Sequence, residues 1–186
     1  MRVISGYLKG KKIILPKDKK TRPLKDIVKE SIFNILTHSN KIDFKIENSE
    51  ILDLFSGSGS FGLECISRGA KKVYFNEIYV DAIEILKKNI NILNCFDKSI
   101  IIEEDCFKIE NTVKKFDKKF DLIFIDPPFK EEKINILLEI LLNIKILKSN
   151  GIIIVHRNKK IQEVLTGKFN IIETRDYGTS KIIFGN

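Results

Sequence analysis

Little in this chain offers a hook for metal or disulfide chemistry. Its 186 residues hold three cysteines, Cys65, Cys95 and Cys106, with no CxxC spacing, and only two histidines, His38 and His156. Neither a disulfide framework nor a zinc site is suggested, so free thiols and no metal are expected. Long apolar runs are also missing: "ILLEILLNIKIL" (136–147) is broken by Glu139, Asn143 and Lys145. No segment could span a bilayer, and "MRVISGYLKGKK" lacks the apolar stretch of a signal peptide. A cytoplasmic monomer with no membrane partner is expected. Proline is scarce too, four in all, yet two of them stand together as Pro127-Pro128.

What is present is an ordinary globular composition, 43% hydrophobic, of a length suited to one well-packed core. Charge is unevenly spread. Residues 1–29 carry ten basic side chains, Lys9, Lys11, Lys12, Arg22 and Lys29 among them, against two acidic ones, while the remainder holds 23 of each sign. A localised basic arm suits a polyanionic partner, because each Lys or Arg near a phosphate releases condensed counterions. A solvated lysine-rich terminus is the bland reading.

"RVISG" and "KKIILP" predict two short strands around a turn, and "TRPLKDIVKESIFNILTH" predicts a helix with Leu24, Ile27, Val28, Ile32, Ile35 and Leu36 at helical spacing. Thr21 or Pro23 could mark its start. From residue 51 strands and helices alternate. The strands are "ILDLF" (51–55), "KVYFN" (72–76), "SIIIE" (99–103), "DLIFID" (121–126) and "GIIIVH" (151–156), with helical patterns starting near Ser60, Tyr79, Cys106 and Glu131. Short, wholly apolar strands joined by crossover helices predict an α/β fold with a parallel sheet covered on both faces. A helix near 158–166 and a hairpin through Asp176-Tyr177-Gly178 complete a seven-stranded sheet. Residues 1–40 read as a basic extension, hairpin plus helix, on a domain of 41–186.

The first strand runs into "LDLFSGSGSFGLE", where Gly57, Gly59 and Gly62 make G-x-G-x-x-G between a strand and a helix. Glu77 lies just past the second strand, twenty residues after Gly57, where a carboxylate can accept from both hydroxyls of a ribose. The pair indicates an adenosine-containing cofactor and does not choose between a dinucleotide and S-adenosylmethionine. Asp105, beside Glu103 and Glu104, can accept from an adenine amino group, and Cys106 can donate its backbone N–H. Asp53 could reach a positively charged end of the cofactor or simply hold the glycine loop.

"FDLIFIDPPFKEEK" (120–133) places Asp126, Pro127, Pro128 and Phe129 at the end of the fourth strand. In an open parallel sheet this end and the glycine loop face one crevice. Proline has a fixed φ and no N–H, so the segment is stiff and rich in acceptors. Such a site suits an exocyclic amine on a flat base: Asp126 and the Pro127 carbonyl take its two N–H bonds while Phe129 stacks. Holding the hydrogens this way aims nitrogen at a methyl sulfonium, and Asp126 stabilises the charge developing on nitrogen.

These residues resemble a known pattern. "DPPF" together with "LDLFSGSGSFGLE" is similar to the class I S-adenosylmethionine-dependent methyltransferases of exocyclic amines. "RVISGYLKGKKI", "TRPLKDIVKESIFNIL", "LDLFSGSGSFGLECISRGA" and "DPPF", in this order, resemble the RsmD family, which methylates N2 of a guanine in 16S ribosomal RNA. The resemblance implies a Rossmann-like seven-stranded fold, S-adenosylmethionine as donor and the small ribosomal subunit as partner. By position it implies Phe55, Gly57, Gly59 and Glu77 at the cofactor, Asp126 to Phe129 at the guanine, and Arg22-Pro23 near the cofactor or RNA. Lys9, Lys11 and Lys12 are expected to contact RNA. One departure stands out, since the family often has an acidic residue after the fifth strand where this chain has His156-Arg157.

Three other readings make different demands. A DNA amino-methyltransferase acting on adenine N6 or cytosine N4 would use the same DPPF device with base flipping. A nicotinamide-dependent oxidoreductase fits the glycine motif and Glu77 but gives DPPF no role. A non-enzymatic RNA-binding protein would need only the basic arm.

Overall fold

The structure, a computed structural model, describes residues 1–16, 24–161 and 164–186, with backbone alone at 114–116. Strands β1 (Glu50–Leu54), β2 (Lys72–Asn76), β3 (Ser99–Ile102), β4 (Phe120–Ile125), β5 (Leu147–Asn158), β6 (Ile171–Tyr177) and β7 (Ser180–Gly185) form one sheet in the order β3-β2-β1-β4-β5-β7-β6. The first five are parallel, and β7 pairs antiparallel with both β5 and β6. Helix α1 (Asp26–His38) precedes β1, and α2 (Ser60–Ser67), α3 (Val80–Ile92), α4 (Glu110–Phe116) and α5 (Ile134–Asn143) lie between successive strands up to β5.

The pleat explains why β4 is apolar throughout. Leu122 and Phe124 enter the core shared with α1, α2 and α3, whereas Ile123 and Ile125 enter the core shared with α4 and α5. On the first side Phe61 of α2 stacks on Phe124 at 3.9 Å between centroids, and Phe33 of α1 stacks on Phe61 at 5.3 Å. Strand order reverses between β1 and β4, so the crevice for a ligand opens at their carboxyl ends.

Three expectations need correction. The two N-terminal strands reduce to a short pairing about one bridge, Arg2 to Lys12, with Val3 and Ile13 donating to the Lys11 and Met1 carbonyls, because beyond Val3 the arm turns donors to α2. The N–H groups of Ile4 and Ser5 donate to the Glu64 carboxylate at 2.7 and 2.9 Å, and that of Leu8 to Ser67 Oγ at 2.9 Å. Gly6 permits this approach: with φ +79°, a Cβ there would stand 1.8 Å from the Ser67 carbonyl oxygen.

The buried face of α1 is also rotated from the expected one. Val28, Lys29, Ile32, Phe33 and Leu36 are buried, and Ile27 is 67% exposed. Lys29, counted with the basic arm, therefore sits inside the core. Its Nζ donates to the Arg2 carbonyl at 3.0 Å and Ser60 Oγ at 3.2 Å, 3.6 Å from Glu64, and burial pulls its pKa down.

No helix forms among the described residues of 158–166. Asn135 of α5 fixes that stretch instead, donating to the Val164 carbonyl and accepting from the Thr166 N–H. Among the described residues no helix is long and apolar enough to cross a membrane.

Candidate active site

At the carboxyl ends of β1, β2 and β4 lies a cavity of about 670 Å³. It brings together Asp53, Phe55, Gly57, Glu77 and Asp105 on one side and Asp126, Pro127, Pro128 and Phe129 on the other. Gly59 and Cys106 are not in its wall. Gly59, at φ +82°, packs so close to α3 that a Cβ would lie 2.4 Å from Leu86 Cδ1. The Cys106 thiol is buried, which pushes it up to about 12. Lys9, Lys11 and Lys12 are exposed on the arm, outside the cavity, and Arg22 and Pro23 lie outside the described residues.

The glycine-loop side is held by carboxylates bonded to backbone amides. Glu77 Oε2 accepts from the Gly57 N–H at 2.7 Å, and its Oε1 accepts from those of Ile78 and Tyr79 at 2.9 Å each. Asp53 Oδ2 accepts from the Gly62 N–H, in the first turn of α2, at 3.0 Å. Burial raises the Asp53 pKa well above its usual range, the Gly62 bond opposes this, and the charges of Asp126 and Glu77 add to it. Asp105 caps the following 3-10 turn by accepting from the Phe107 N–H at 3.0 Å. The Phe107 ring meets the Phe55 ring edge-on at 6.5 Å, giving this side an aromatic wall.

These bonds decide between the two adenosine cofactors. A dinucleotide places its pyrophosphate on free amides at a helix N-terminus. Here carboxylates already occupy the Gly57 and Gly62 N–H groups. Asp53, Glu77, Asp105, Asp126 and Glu131 face the cavity against Lys25 and Lys133. An acidic pocket suits a cationic sulfonium and repels phosphates. Ser56 Oγ, buried in the same wall, has no hydrogen-bond partner among the described residues and so remains available to a ligand.

The β4 side is organised by side chains. Pairing of β4 with β5 sets Ile125 beside Val155, so Asp126 and His156 emerge as neighbours. His156 Nδ1 lies 2.7 Å from Asp126 Oδ1, and its Nε2 lies 2.9 Å from Ser180 Oγ on β7. The Phe129 ring meets the imidazole edge-on at 6.0 Å. Glu131 donates its N–H to the Pro128 carbonyl at 2.9 Å and accepts at its own carbonyl from Arg157 Nη2 at 2.8 Å, which ties the DPPF loop to β5. Sequence reasoning noted His156-Arg157 only as a departure; neither His156 nor Ser180 was assigned to the site. The signal is one of pairing alone: His156 lies on β5, beside β4, and Ser180 on β7, beside β5.

The fold and this cavity together define a class I S-adenosylmethionine-dependent methyltransferase. The model of one protein family, Conserved hypothetical protein 95, matches residues 1–186. Ribosomal RNA small subunit methyltransferase D of Buchnera aphidicola is 32% identical over 98% of this chain and 88% of its own. The protein of that name from Haemophilus influenzae is 31% identical over 96% and 89%. Among solved structures, yhhF of Escherichia coli superposes with a TM-score of 0.81 at 22% identity, covering 100% of this chain and 96% of that one. The chain belongs to the Conserved hypothetical protein 95 family.

Proposed function

We propose that the protein transfers a methyl group from S-adenosylmethionine to the exocyclic N2 amine of a guanine in 16S ribosomal RNA, acting on the small ribosomal subunit in the cytoplasm. One observation carries the reading: the DPPF segment and the carboxylate-held glycine loop line the same acidic cavity. The relatives' names favour ribosomal RNA over DNA.

When bound, S-adenosylmethionine supplies an electrophilic methyl on a cationic sulfur. Glu77 takes a ribose hydroxyl with the one lone pair, on Oε2, that its three backbone amides leave, Asp105 takes the adenine amine, and Phe55 packs the ring. Asp53 offsets the sulfonium charge at the cavity floor. Phe129 stacks on the guanine, which must leave its own stack to enter. Asp126 and the Pro127 carbonyl accept from the amine hydrogens and turn its lone pair out of the base plane. Asp126 then stabilises the positive charge that develops on nitrogen. Residues 1–40 serve as the RNA-contacting extension on the catalytic domain of 41–186, with Lys9, Lys11, Lys12 and Arg22 on backbone phosphates.

The test offers radiolabelled S-adenosylmethionine with small subunits, protein-free ribosomal RNA and duplex DNA in parallel. Label is expected in 16S ribosomal RNA. Label in DNA alone would establish the DNA amino-methyltransferase reading instead.

A further inference from the structure

Asp126 is asked to hold an amine with one carboxylate oxygen, yet a carboxylate at the end of a strand can rotate. The structure supplies a brake. His156 Nδ1 sits 2.7 Å from Asp126 Oδ1, with the two side chains 8% and 19% exposed. At that distance one partner must carry a proton between them, because two lone pairs would repel. An ionised Asp126 only accepts, so Nδ1 is the donor. Nε2 of a neutral imidazole is then an acceptor, and what faces it is Ser180 Oγ at 2.9 Å, a hydroxyl able to donate.

We infer that His156 is a positioning residue for methyl transfer: it fixes Asp126 by Oδ1 so that Oδ2 faces the target amine, and Ser180 satisfies the Nε2 lone pair that this tautomer leaves and holds the ring in place. The assignment rests on the functional reading above for the identity of the transfer step. The hydrogen-bond chain itself is independent of the substrate.

Facing the imidazole are Asp126 from the end of β4, Ser180 from β7 and the Phe129 ring. The ring is thus held on both nitrogens and packed on one side, which leaves Asp126 a fixed donor to lean on.

Two amides separate the contacts. His156→Asn puts an N–H near the Nδ1 position and can bond Asp126, whereas His156→Gln reaches toward the Nε2 position and cannot. In single-turnover assays on small subunits, His156→Ala and His156→Gln are expected to lower the rate on the order of 10- to 100-fold, as small misplacements of catalytic groups do. S-adenosylmethionine affinity, measured by calorimetry, stays within about twofold in the same assay series. His156→Asn restores the rate to within about threefold of wild type. Imidazole nitrogen NMR provides a readout apart from activity, with only His38 to distinguish from His156. Wild type should show the Nδ1–H tautomer at His156, and Asp126→Ala should release it. A wild-type Nε2–H tautomer, a His156→Ala rate within about twofold of wild type, or a His156→Asn rate no higher than that of His156→Gln would each overturn the assignment. If wild type methylates no RNA amine, the functional reading falls, and the tautomer measurement still decides whether His156 holds Asp126 through Nδ1.

Discussion

The two sides of the cavity are built on different principles. On the glycine-loop side Glu77, Asp53 and Asp105 are held by backbone N–H groups, three of them at Glu77 alone. On the β4 side Asp126 is held by a side chain, His156, that is itself held by another, Ser180. Backbone amides neither titrate nor change rotamer, so the first side is a fixed cradle. The second depends on the orientation and packing of two side chains from other strands. A cofactor common to many reactions needs the former; an acceptor chosen among bases can use the latter.

Substitutions should separate the two sides. Asp126→Ala is expected to cost most, on the order of 10²- to 10³-fold in transfer rate with S-adenosylmethionine affinity nearly kept, since it removes stabilisation needed only in the transition state. Rate assays and calorimetry on the same samples check this, and a parallel loss of cofactor binding would erase the distinction. Glu77→Ala should do the reverse, weakening cofactor binding roughly 10- to 100-fold by calorimetry, because it also frees three backbone donors of the cradle. Neutral replacements of Lys9, Lys11 and Lys12 together should touch neither side. They should weaken RNA binding about tenfold and reduce the slope of log affinity against log salt by about 2 to 3, as filter binding across a salt series would record. Phe129→Leu should raise KM for RNA about fivefold and leave the cofactor untouched, the loss of one stacking surface.

The smallest effect tests the floor between the sides. The folded Asp53 carboxyl keeps its proton to higher pH than the usual 3.8, because burial and the negative Asp126 and Glu77 disfavour its charge. Its contribution to stability is complete below that value and is lost as pH rises through the raised one. Asp53→Asn can still accept from Gly62 and escapes that loss. Its melting temperature should exceed that of wild type by roughly 2 to 4 °C at neutral pH, with the gap closing toward pH 4. A gap that widens on acidification would contradict the sign.

The same contrast decides what the sequence made legible. Strands β1 to β4 fall within two residues of their expected limits because each is a short run rich in apolar residues, buried on both faces in β1, β2 and β4 and partly so in β3 at the sheet edge. The cradle was legible because its parts follow a strand, a turn and a second strand at fixed spacing. Asp126 to Phe129 were legible because two prolines after a buried strand are chemically conspicuous. His156 was not, since its role depends on β5 pairing with β4 and β7 pairing with β5, which no local pattern encodes. Lys29 was misread as surface charge for a related reason. Its spacing to Ile32, Phe33 and Leu36 does mark the buried face of α1, but a lysine is read as solvent-facing until Glu64, Ser60 and the Arg2 carbonyl are found around it.

The claim that the β4 side selects an exocyclic amine of guanine is tested most directly by digesting the methylated RNA and identifying the product nucleoside by mass spectrometry. N2-methylguanosine as the single product is expected, absent with Asp126→Ala. Methyl groups on a ring nitrogen, a ribose or adenine N6 would contradict it.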